Sequence, residues 1–166
     1  NNCHKVPAKQ FNYRLATANE ITNGFSQTLL NLKKLNPNLQ VVFTVSPVRH
    51  WRNGAINNSR SKAVLINAAN ILADAFTNVH YFPSYEILID DLRDYRFYED
   101  DLLHPSKVAI DYIWQKFGEA FFSPKTLEAN SAIAKINAMQ NHRHISSTQD
   151  DLKKFNAKLH ARKNEL

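Results

Sequence analysis

"LQVVFTVSPV", residues 39–48, is the stretch on which the architecture depends. It is a short β-branched run of the kind found in a buried strand of a parallel sheet. Ser46-Pro47 ends it, because proline has no N–H to give a central ladder. Upstream, residues 17–38 read as a helix. Thr17 and Glu20 have capping-box spacing, and Ile21, Phe25, Leu29, Leu32 and Leu35 form one apolar stripe that Asn36-Pro37 stops. Downstream, "RHWRNGAINN" (49–58) reads as a loop with its turn at Asn53-Gly54, and residues 59–76 carry small and apolar residues at helical spacing. "NVHYF" (78–82) is a second strand that closes at Pro83.

Helix, strand, helix, strand with short connections predicts a layered α/β domain with a parallel sheet. Functional residues of such sheets gather beyond the carboxyl ends of the strands, which nominates Ser46 to His50 and the region after Phe82. Residues 83–104 continue as a short helix and then a charged, aromatic loop. There Tyr95, Phe97 and Tyr98 are expected to pack, and Arg93 and Arg96 to pair with neighbouring acids. From Pro105, placed as a first-turn proline, Val108, Ile110, Ile113, Trp114, Phe117 and Phe121 mark an amphipathic helix. Two further helices with thin apolar faces follow Ser123-Pro124, so the expected organisation is an α/β part over 1–124 and a helical extension over 125–166. That extension would pack on the first part or mediate interactions.

The 166 residues and 43% hydrophobic content suit one folded domain. No apolar run is long enough to span a membrane, and the start has no signal-peptide order. Cys3 is the single cysteine; this suits a reducing compartment and a cytoplasmic location, and its neighbour His4 leaves a nucleophilic role to weigh. The net charge of +6 is spread among acids rather than massed in an arginine block, so nucleic acid is not the expected partner. Three glycines argue against a phosphate-cradling loop, and no His/Cys/Asp/Glu spacing proposes a metal site or any other cofactor.

Asp101 and His104 stand as Asp-x-x-His within "DDLLHPS". In Ser-His-Asp chemistry the imidazole takes the nucleophile's proton, while the carboxylate holds the other ring nitrogen and stabilises the cation. Three residues is close enough for both side chains to meet in one loop. The bland reading is a helix cap that contains a histidine. Ser46 ends a strand but lacks the small neighbours of a nucleophile elbow. Arg49 and His50 either line a pocket, holding an anionic substrate, or belong to a solvated loop; His4 and His80 read as structural.

"NCHKVPAKQF", "TVSPVRHWRNG", "NNSRSKAVL" and "YFPSYEILIDDLRDYRFYEDDLLHPS" resemble, in order, the sequence blocks of the GSCFA family, a bacterial group placed among the SGNH (GDSL-like) hydrolases. The resemblance covers most of residues 2–145. It implies a flavodoxin-like three-layer α/β/α sandwich and ester hydrolysis or acyl transfer through a serine. It also implies His104 as general base with Asp101 as its orienting acid, acting on an ester or acylated substrate of unknown class and using no cofactor. The naming segment Gly-Ser-Cys-Phe-Ala, which carries the family's presumed nucleophile, does not occur here, nor does the glycine-containing block that helps form the oxyanion hole. The chain is therefore expected to be the carboxyl-terminal part of a family member, inactive alone, with a small incomplete sheet whose exposed edges favour self-association. The competing expectation is a non-catalytic interaction module using its basic carboxyl-terminal helices.

Overall fold

Thr17 opens the first helix, α1 (Ala18–Leu35), with a complete capping box. Its hydroxyl accepts the Glu20 N–H at 3.3 Å, and the Glu20 carboxylate accepts the Thr17 N–H at 2.8 Å. Arg14 forks onto the same carboxylate at 2.7 and 2.9 Å. The Arg14 bonds, and then those from Thr17, hold the Glu20 pKa down at about 2. The computed structural model describes residues 6–7, 10–141 and 149–164, so Cys3 and His4 lie outside the described residues.

The β-branched run forms β1 (Val41–Thr44), α2 (Gly54–Ala75) crosses over, and β2 (Val79–Phe82) returns parallel to β1, with Val41 opposite Val79 and Thr44 opposite Phe82. Among the described residues these two strands are the whole sheet. The protein is thus mixed α/β, mostly helical, with a short parallel sheet and carboxyl-terminal helices. Leu29 of α1, Leu72 of α2 and Val79 of β2 form the buried centre, with Val41, Phe43, Ala73 and Phe76 packed against it.

The expected loop over 49–58 is shorter than the turn signal implied. Trp51–Asn53 make a 3-10 turn, and Gly54, at φ 75°, leads directly into α2. Glycine takes that left-handed backbone without steric cost, so it begins the helix here instead of closing a turn. The apolar stripe of α1 is also only partly used: Leu29 is buried, but Phe25, Leu32 and Leu35 stay exposed because a two-stranded sheet offers too little surface to cover them.

After β2 comes a single helical turn, α3 (Ser84–Glu86), which widens into π geometry at Ile87–Asp91 and buries Ile87 and Leu88. Arg93 and Arg96 lie near Asp90 and Asp94 at 3.8 and 3.9 Å, as expected for arginines paired with local acids. Tyr95, however, remains exposed rather than packing the loop. Helix α4 (Lys107–Phe121) starts two residues later than the proline implied. Pro105 instead bridges to Tyr98, and Ser106 faces the first turn, its carbonyl accepting the Ile110 N–H at 3.0 Å.

The chain divides into two compact units, Asn1–Ile113 and Trp114–Leu166. In the second, Ser123 caps α5 (Pro124–Gln140), and Ile136 is its buried residue. Trp114 stacks on Phe117 at 5.6 Å, Phe122 meets both rings edge-on, and α6 (Gln149–Asn164) completes the unit. No helix among the described residues is long and apolar enough to cross a membrane.

Candidate active site

Because the strands run parallel, their carboxyl ends lie side by side at Thr44 and Phe82. A small polar knot ties them. The Ser84 hydroxyl donates to the Val45 carbonyl at 2.9 Å, which leaves its oxygen to accept the Thr44 hydroxyl. The loop that leaves β1 is held by α2. Asn58 Oδ1 accepts the His50 N–H at 2.9 Å, and Lys62 Nζ donates to the Ser46 carbonyl. Both helix residues are buried and one turn apart.

Asn58, Lys62 and Ser84 escaped the sequence reading. A signal was present for Lys62, which continues the helical face of Ala69 and Leu72 with a polar residue, whereas Asn58 fell in the expected loop over 49–58. Buried polar side chains are kept where they have bonds to make. Burial lowers the Lys62 pKa from its ordinary value.

Residues 97–106 fold back on themselves as a miniature hairpin. The Ser106 N–H reaches the Phe97 carbonyl at 2.8 Å, the Glu99 N–H reaches the His104 carbonyl at 2.8 Å, and the Leu102 N–H reaches the Glu99 carbonyl at 2.9 Å. The reversal runs through Leu102, whose φ of 56° is left-handed and costs a non-glycine residue about 1–2 kcal/mol. Asp101 offsets that cost: its Oδ1 accepts the N–H groups of Leu103 and His104 at 2.8 and 2.9 Å.

The other oxygen, Oδ2, meets His104 Nδ1 at 2.6 Å. The backbone bond from His104, then its ring bond, then the Leu103 N–H hold Asp101 at a pKa of about 2. An ionised carboxylate only accepts, so Nδ1 carries the proton of the neutral ring and Nε2 keeps its lone pair. The histidine side chain is 61% exposed, which leaves Nε2 open to a reacting group.

Arg49 brings the strand-end loop to this hairpin. Its guanidinium lies over Tyr98 at 5.7 Å and over Trp51 at 5.9 Å, within cation–π range. The structure therefore joins Asp101 to His104 directly and sets Arg49 against the loop that carries them. His50 is fixed through its backbone to Asn58. The Ser46 hydroxyl accepts the Val48 N–H at 3.3 Å in a local turn, and among the described residues no hydrogen bond links it to His104. His80 bonds Gln40 at 3.0 Å, and no cluster of three metal-ligating side chains occurs among the described residues.

Comparison with curated proteins and with solved structures gives no match. The GSCFA family model matches residues 1–117, a span that includes β1, β2, the hairpin with Asp101 and His104, and most of α4. With more than two-thirds of its length matched, this chain belongs to the GSCFA family.

Proposed function

We propose that this chain carries the acid–base half of a serine-dependent ester hydrolase or acyltransferase of SGNH type, built on part of a flavodoxin-like three-layer sandwich. The observation that carries the reading is the 2.6 Å bond between Asp101 Oδ2 and His104 Nδ1, on a ring whose second nitrogen faces no competing partner among the described residues. In the proposed step Nε2 takes the proton of a serine hydroxyl as that oxygen attacks the ester carbonyl. The imidazolium then gives the proton to the departing alcohol, and an acyl-serine remains. Water or an acceptor alcohol, deprotonated by the same nitrogen, releases the acyl group and restores the serine.

Asp101 keeps Nδ1 as the donor and stabilises the cation formed midway. Arg49, and with it His50 and Ser46, belongs to the pocket wall in this reading. The nucleophile is assigned to a Gly-Ser-Cys-Phe-Ala segment, which these 166 residues do not contain, so the chain alone is expected to be inactive. The test is ester turnover by a polypeptide carrying that segment ahead of these residues. His104→Ala should abolish turnover with an unchanged circular dichroism spectrum, and retained turnover would remove His104 from the mechanism. Labelling of the 166-residue chain itself by a fluorophosphonate at Ser46 would overturn the assignment of the nucleophile.

A further inference from the structure

A cleft of about 200 Å³ lies between α1, β1 and α2. Ile21, Phe25, Phe43 and Leu65 form apolar walls, and Phe25 meets Phe43 edge-on at 5.1 Å. At the strand's end the lining changes to Ser46 and Lys62. Lys62 is only 8% exposed, and no carboxylate among the described residues lies within ion-pair range of it. Its ammonium gives one N–H to the Ser46 carbonyl and lies 6.0 Å from the Tyr85 ring. An ammonium has three donors, and a buried one without a counter-charge is costly to keep. A lone buried cation at one end of an apolar trough is complementary to a singly charged head on an aliphatic chain.

We propose that this cleft binds a medium-chain aliphatic carboxylate. The chain lies along Phe25, Phe43 and Leu65, and the carboxylate sits against the Lys62 ammonium. That head would stand at the root of the loop whose Arg49 touches the His104 hairpin. That the carboxylate is the acyl product of the proposed reaction rests on the hydrolase reading; the binding itself does not.

The test is calorimetric titration of the full 166-residue chain with octanoate, butanoate and octan-1-ol. Octanoate should bind, with affinity falling about fourfold for each methylene removed toward butanoate. Lys62→Met should weaken octanoate at least tenfold and leave octan-1-ol unchanged. Should Lys62→Met fail to fold by circular dichroism, Leu65→Trp supplies the second variant, and loss of octanoate binding there is the expected result. No binding by the wild-type chain, equal binding by a folded Lys62→Met, or affinity indifferent to chain length would each overturn the proposal. His104→Ala should bind octanoate normally, so failure of the cleft and failure of the hydrolase reading give separate signals.

Discussion

Asp101 uses its two oxygens on the same histidine in different ways: Oδ1 binds the His104 backbone N–H at 2.9 Å, and Oδ2 binds the His104 ring at 2.6 Å. The first bond shapes the loop and the second orients the base. Asp101→Asn separates the two. The amide oxygen can still cap the turn, while an amide group facing Nδ1 no longer holds a protonated donor or stabilises an imidazolium. In a catalytically complete polypeptide this substitution should lower kcat by about 10⁴-fold, the scale seen when a triad carboxylate becomes an amide. Steady-state kinetics beside a thermal melt distinguishes this from unfolding.

The depressed pKa of Asp101 has a defined pH window. Its folded value, about 2, lies below the ordinary value of 3.8. The unfolded chain therefore binds more protons between these values, and stability from this carboxylate is complete above pH 4 and lost as pH falls through 2. Amide shifts of Leu103 and His104 followed by NMR should titrate with a midpoint near 2. A midpoint near 4 would mean that the cap is not formed in solution.

Leu102 holds the hairpin's reversal at φ 56° and is half exposed. Leu102→Gly should therefore leave the melting temperature within a few degrees, because relief of about 1–2 kcal/mol of strain offsets the added chain entropy. Leu102→Val, β-branched at a left-handed position, should destabilise by about 1–2 kcal/mol. Chemical denaturation of the two variants checks the contrast, and equal stability of both would show that the reversal does not pass through a left-handed residue.

Ser84, just beyond β2, is buried and makes two bonds to the end of β1. Ser84→Ala strands the carbonyl of buried Val45 and should cost about 1–3 kcal/mol. Urea denaturation gives the value, and a loss under 0.5 kcal/mol would mean that water replaces the hydroxyl.

Much of this was legible in the chain. The capping box at Thr17 and Glu20, both strands and the Asp101–His104 contact could be read because each is a local pattern: one side chain's reach, a β-branched run, a three-residue spacing. Less could be read where distant segments decide the outcome. Asn53-Gly54 carries a strong turn signal, yet Gly54, at φ 75°, begins α2, whose partners α1 and β2 are distant in the chain or follow the helix. Pro105 looked like a first-turn residue, but its bridge to Tyr98, seven positions away, takes it out of the helix. Lys62 bonds a carbonyl sixteen residues upstream, and no local pattern announces such a partner.

The parallel register also bears on how the chain assembles. Val41 finds Val79 only after the 37 residues between them have been traversed, with α2 inside that span. Closing so long a loop loses entropy before any ladder bond repays it, whereas α2 gains its bonds locally. The crossover helix is accordingly expected to be structured in the folding transition state, with strand pairing late. Helix-weakening changes such as Ala63→Gly would then slow refolding, while Val79→Ala would chiefly hasten unfolding.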